Sequence, residues 1–238
     1  MAAVQSNPYL SNRVRRARPD MRLFCFPYAG GNAVVFQRWN QLFPSTIEIA
    51  PLQYPGHGNR MREKLFTSAR DLAQDLTPAL MSDLEVPYAF FGHSMGALIA
   101  FEVARELRRR QKPLPRQLFV SAVRAPQFRN RDHISFNMPD DEFIQELRRL
   151  NGTPEEVLEN KELMAIMLPI LRADFSVAQT YEFVEEMPLS FPISVYGGRD
   201  DVSVSTDELE GWRGQTTGPT SVEMFGGDHF FQIGRAHV

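Results

Sequence analysis

Tyr88-Ala89-Phe90-Phe91-Gly92-His93-Ser94-Met95-Gly96-Ala97-Leu98-Ile99-Ala100-Phe101 is the stretch on which the fold turns. An apolar run enters Gly-x-Ser-x-Gly, and a run of helical character, Ala97 to Ala104, leaves it. That is strand, tight turn, helix. A serine at such a turn sits in a strained backbone conformation, and glycines two residues to either side let a neighbouring strand and helix approach. The helix N-terminus beneath it favours developing negative charge. The pentapeptide alone is a modest signal, and this context makes Ser94 the candidate nucleophile.

Outward from this turn, short apolar runs alternate with amphipathic stretches, the pattern of a mostly parallel sheet covered by helices. Strands are expected at Arg22–Phe26, Ile47–Leu52, Tyr88–Phe91, Gln117–Ser121, Ile193–Tyr196 and Ser221–Phe225. Helices are expected at Ala33–Phe43, Ala69–Leu84, Ala97–Arg110 and Thr206–Trp212. LFCF, YAFF, LFV and ISVY are continuously apolar, as strands buried on both faces should be. The alternation breaks between about Ala125 and Met187, where helices at Asp140–Leu150, Pro154–Asn160 and Lys161–Val184 replace strands. Active sites of open α/β sheets lie along the C-terminal edge, so this block reads as a lid.

A serine hydroxyl needs a base, and the base an orienting carboxylate. His133, His229 and His237 follow Ser94. His133 falls in the lid-like block ahead of any suitable acid, and His237 is the penultimate residue. His229 follows the strand-like Val222–Phe225 and the turn Gly226-Gly227-Asp228, which suits the base. The acid belongs at the end of the preceding strand, where Ile193–Tyr196 runs into Gly197-Gly198-Arg199-Asp200-Asp201; both aspartates qualify. An acyl-transfer site also needs oxyanion donors. The N–H of Met95 is one; Ala29, with Tyr28 as its close alternative, supplies the other from the loop Pro27-Tyr28-Ala29-Gly30-Gly31.

The 238 residues suit one large domain or two small ones, and 43% hydrophobic content allows a real core. With a net charge of −3, nothing in the balance points to nucleic acid or an anionic membrane. No segment has the length and apolarity of a transmembrane helix. The single cysteine, Cys25, makes a reducing, cytoplasmic compartment the default and falls in a core strand. Five scattered histidines form no metal cluster, and no cofactor is expected. Residues 1–21 read as a polar, partly disordered lead-in, with Arg13, Arg15, Arg16 and Arg18 solvated.

Taken in order and spacing, FPYAGG, PLQYPGHGNR, GHSMGALIAFEVA, YGGRDD and GGDHFF resemble the type II thioesterases of polyketide and nonribosomal peptide synthesis, which have the α/β-hydrolase fold. The resemblance runs from about Arg22 to Gln232. It implies a single domain over residues 22–232, with Ser94 as nucleophile, His229 as base and a helical lid over about 125–187. Of the two aspartates it selects Asp200, three residues after Gly197. It implies an editing hydrolase that removes stalled or aberrant acyl groups from the phosphopantetheine arm of acyl or peptidyl carrier proteins, through an acyl-enzyme. A discrete monomer is expected. The competing expectations are a small-molecule carboxylesterase or lipase, and an inactive acyl-binding homologue.

The remaining singular residues read as supporting parts. His93 packs at the elbow, and His57 is a loop residue. Leu163–Leu168 lines an acyl channel or forms lid core. Arg108-Arg109-Arg110-Gln111-Lys112 is a solvated helix end or a contact for an acidic carrier protein. The resemblance also implies a final helix after the histidine, whereas this chain stops nine residues after His229. Residues 233–238 read like a translated sequencing-adapter oligonucleotide, so the natural sequence is expected to end at or near Gln232 and the true tail, with its C-terminal helix, to be missing.

Overall fold

The computed structural model describes residues 7–128 and 135–231. Six strands, β1 (Met21–Phe26), β2 (Ile47–Pro51), β3 (Tyr88–His93), β4 (Leu118–Ser121), β5 (Ile193–Gly198) and β6 (Thr220–Phe225), pair in parallel in the order β2-β1-β3-β4-β5-β6. The helices are α1 (Trp39–Leu42), α2 (Ala69–Leu80), α3 (Met95–Arg109), α4 (Asp140–Leu150), α5 (Glu155–Leu158), α6 (Lys161–Gln179) and α7 (Thr206–Glu210). This is the α/β-hydrolase architecture that the strand–turn–helix reading leads to. The expectations of a missing final helix and of a non-native tail at 233–238 fall outside the described residues, as do His133 and His237.

The alternation of side chains along a strand builds both layers. Phe24 and Phe26 of β1 join Phe90, Leu118, Val120, Ile193 and Val195 in one apolar layer, which α2 and α3 cover. Leu23 and Cys25 point the other way, into a smaller cluster with Phe36, Ile49 and Phe91. Cys25 is fully buried, and that burial pushes its thiol pKa up. The expected helix at Ala33–Phe43 is instead a 3₁₀ turn, Ala33–Phe36, followed by the short α1. Phe36, the last residue of that turn, and Trp39, the first of α1, sit edge to face at 5.1 Å.

The lid block has its own small core. Phe143, Leu147, Leu158, Met164 and Leu171 cluster where α4, α5 and α6 meet. Within Leu163–Leu168, Met164 is buried in that core while Leu163 and Ile166 are exposed.

Two basic runs differ from their sequence reading. The lead-in is solvated only in part: Arg15 and Arg18 are exposed, but Tyr9 and Leu10 are buried, and the Arg13 guanidinium pairs with Asp83 at 2.6 Å. Arg22 pairs with Glu48 at 2.6 Å beside it. Buried carboxylates thus draw this arm onto the sheet edge. At the end of α3, Arg105, Arg108 and Arg109 all bind Glu186, at 2.6, 2.7 and 2.5 Å. The same face captures backbone: Arg105 donates to the Val184 carbonyl, Arg108 to the Met187 carbonyl, and Arg70 of α2 to Glu182. The helix α6 stops at Gln179 rather than Val184, and the segment after it lies along this arginine face.

Burial alone would raise the Glu186 pKa, but Arg109, Arg108 and Arg105 hold it down at about 2. A depressed carboxylate contributes stability that is present above its unfolded pKa, near 4.5, and lost as pH falls through its folded value. Glu186→Gln should therefore be less stable than the wild type at pH 7. Urea midpoints measured down the pH scale should converge as pH falls from about 4.5 toward 2.

Candidate active site

Ser94 has φ 52° and ψ −121°, far from any relaxed region for a residue with a side chain. Two close approaches hold it there. A Cβ on Gly96 would lie 2.1 Å from the Phe26 carbonyl oxygen, and one on Gly92 would lie 2.5 Å from Ala97 Cα. Backbone stands on both sides, so neither position accepts a side chain. The Ser94 N–H donates to the Ser121 carbonyl at 2.8 Å, tying the elbow to β4. Met95 begins α3, so its N–H is one of the helix's unpaired donors. Ala29 lies on the loop that leaves β1, and among the described residues its N–H has no hydrogen-bond partner.

All these groups sit past the C-terminal ends of parallel strands. Ser94 follows β3, the Ala29 loop follows β1, His229 follows β6, and the acid follows β5. Ser94, Met95, Ala29 and His229 line one cavity of about 270 Å³ under the lid helices. Leu147, Leu150, Leu171, Phe175 and Phe230 supply its apolar wall. The acyl-channel expectation for Leu163–Leu168 is thus displaced along α6 to Leu171, Phe175 and Ala178. A second cavity, of about 100 Å³, reaches Ser94 and His229 from the side of Arg124 and Phe128.

The aspartate that meets His229 is not the expected Asp200. His229 Nδ1 binds Asp201 Oδ2 at 2.8 Å, and the Asp201 carboxylate is almost wholly buried. Asp200 turns away: its N–H donates to the Gly227 carbonyl and its Oδ2 accepts the Gly227 N–H, at 3.0 and 3.2 Å. A turn closed by Asp201 N–H on the Gly198 carbonyl makes the difference. Asp201 stands three residues after the second glycine of the pair, not the first. Burial pushes the Asp201 pKa up, but the bonds from His229 and Ser203 more than offset this and keep it below the usual carboxylate value. Ser203 donates to Asp201 Oδ1 through both its hydroxyl and its N–H, at 2.6 and 2.9 Å. No motif in the sequence marked Ser203.

His93 is buried behind the elbow, with Nδ1 3.0 Å from the Ser121 hydroxyl and its ring edge-on to His229 at 5.3 Å. Burial, with His229 adjacent, pushes its pKa well below the usual value, so it packs as a neutral ring. His57 is buried as well, its Nε2 2.8 Å from Asp174 Oδ2 on α6. Asp174 escaped the sequence reading; a lone acid within Leu168-Pro169-Ile170-Leu171-Arg172-Ala173-Asp174-Phe175 was the available signal.

The family model described as Thioesterase domain matches residues 21–238. The gramicidin S biosynthesis protein GrsT of Aneurinibacillus migulanus is 44% identical over 227 residues, covering 95% of this chain and 89% of its own. The RedJ thioesterase from the prodiginine pathway of Streptomyces coelicolor superposes with a TM-score of 0.84 at 35% identity, covering 91% of this chain and 88% of that one. The type II thioesterase BorB from the borrelidin cluster gives 0.84 at 34%, covering 93% and 92%. The fold, the elbow and these likenesses together place the chain in the thioesterase family, as an α/β-hydrolase-fold enzyme that hydrolyses thioesters and whose relatives include the type II thioesterases of polyketide and nonribosomal peptide synthesis.

Proposed function

We propose that this enzyme hydrolyses acyl thioesters on the phosphopantetheine arm of acyl or peptidyl carrier proteins, clearing stalled or aberrant acyl groups. Ser94 is the nucleophile, His229 the base, and Asp201 the carboxylate that orients it. The observation that carries this reading is the strained Ser94 at the mouth of α3, sharing a lidded cavity with the His229–Asp201 pair.

Asp201 engages His229 Nδ1, which leaves Nε2 for the serine. His229 takes the hydroxyl proton as Ser94 Oγ attacks the thioester carbonyl. The negative oxygen that forms is met by the N–H groups of Ala29 and Met95. Collapse breaks the carbon–sulfur bond, and the His229 proton goes to the departing thiolate. A water molecule, deprotonated by the same imidazole, then splits the acyl-serine. Thiolate leaves readily, so acylation makes modest demands on the base. A thioester has two arms, and two cavities meet at Ser94: the apolar one suits the acyl chain and the one beside Arg124 suits the pantetheine arm. The names of GrsT, RedJ and BorB, all tied to biosynthesis, and the description of BorB as a type II thioesterase favour a carrier-bound substrate over a free ester.

Purified protein should release acyl groups from acyl-phosphopantetheinyl carriers faster than from simple esters. Ready cleavage of simple esters with none from carriers would establish an esterase instead. A fluorophosphonate should label the wild type and not Ser94→Ala; equal labelling of both would remove Ser94 from the mechanism. Asp201→Asn should lower kcat by about 10⁴-fold, because the imidazole loses its tautomer restraint. Asp200→Asn, which keeps an acceptor for Gly227, should stay within about threefold.

A further inference from the structure

The oxyanion loop and the lid are joined by one buried carboxylate. Asp174, only 4% exposed, sits on α6 one turn from the cavity-lining Leu171 and Ala178. Its Oδ2 accepts two bonds, from the Gly30 N–H at 2.7 Å and from His57 Nε2 at 2.8 Å. His57 is itself oriented from behind: Nδ1 lies 3.1 Å from the Pro55 carbonyl, which can only accept. Nδ1 therefore carries a proton, and Nε2 must share a second one with the carboxylate. Burial alone would lower the His57 pKa, yet the Asp174 bond and charge and the Pro55 carbonyl overcome it and raise the value. Leu171 closes the contact, its Cδ2 standing 2.6 Å from where a Gly30 Cβ would be.

This arrangement fixes the peptides on both sides of Ala29. On one side the Tyr28 carbonyl accepts the Gly31 N–H at 2.9 Å. On the other, Asp174 holds the Gly30 N–H. With both planes anchored, the direction of the Ala29 N–H is set. We infer that Asp174, held by His57, is a positioning residue that aims the Ala29 oxyanion donor only while lid helix α6 is docked on the loop. This rests on the assignment of Ala29 as an oxyanion donor. When α6 lifts, Gly30 loses its acceptor and the loop its aim, so acyl transfer proceeds with the lid down.

The test compares Asp174→Ala, Asp174→Asn, His57→Gln and wild type, each first shown to unfold cooperatively. Loss of one oxyanion donor costs about 10²–10³ in kcat, so misaiming one in Asp174→Ala should cost about 10–100-fold. KM for an acyl-pantetheine thioester should move by less than about threefold, since the lost interaction is made in the transition state. Asp174→Asn, which keeps an oxygen for Gly30, should recover most of the loss. A folded Asp174→Ala with wild-type kcat, or with only a raised KM, overturns the inference. Should that variant not fold, the same criteria apply to His57→Gln, where wild-type kcat overturns it. The fluorophosphonate labelling rate of Ser94 needs the oxyanion donors but no thioester, and should fall in parallel. Wild-type protein that labels yet cleaves no thioester would defeat the proposed substrate while leaving this inference to the labelling rates alone.

Discussion

The approach of the first turn of α3 to the end of β1 is the constraint from which the site follows. Gly96 meets the Phe26 carbonyl with no room for a side chain, so helix and strand lock together at that point. Ser94 is thereby forced to φ 52°, a conformation that costs on the order of 1–3 kcal/mol in isolation. The surrounding contacts hold it, and three consequences come from the one approach. The serine is lifted out of the strand, the Met95 N–H is left unpaired beneath it, and the loop after Phe26 is brought alongside. The proposed nucleophile and both proposed oxyanion donors are therefore products of a single backbone packing event rather than of three separate ones.

The second half of the site is assembled across β5 and β6 on the same edge. Parallel pairing in register sets Gly197 against Met224 and Gly198 against Phe225, so the two following loops emerge together. Backbone bonds from Arg199 to Phe225 and from Asp200 to Gly227 knit these loops before any side chain is considered. Asp200 is consumed in that knitting. Asp201, the next residue, is left facing His229, and Ser203 satisfies its other oxygen. A carboxylate this buried needs its remaining lone pairs occupied to stay ionised, which gives Ser203 a physical reason to be there.

How far the sequence discloses this depends on whether the deciding contact is local. The strands were legible because buried parallel strands are apolar throughout, and Ser94 because glycine spacing reports a close approach directly. Asp200 and Asp201 are adjacent, chemically identical, and separated only by which one closes a turn on Gly198; nothing in the sequence encodes that. Likewise the helix expected to run to Val184 ends at Gln179, and the segment after it gives the Val184 and Pro188 carbonyls to arginines about eighty residues distant in sequence. Arg13 looked solvated because Glu48 and Asp83, its partners, come from separate elements. Charged runs hide their partners; apolar periodicity does not.

The His57–Asp174 pair raises the question of why charge is buried where Leu171 already packs. Replacing a buried ion pair by apolar groups is often neutral or stabilising, so holding the lid is not a sufficient reason for it. An apolar contact is non-directional and would seat α6 without orienting a peptide. A carboxylate oxygen with two donors specifies an angle as well as a distance. It also differs in what happens on separation. An apolar contact exposes surface to water when broken, whereas His57, Asp174 and the Gly30 N–H each regain hydrogen bonds to water. The polar joint therefore defines the docked geometry sharply and still lets α6 leave, which is what a lid over a covalent reaction has to do.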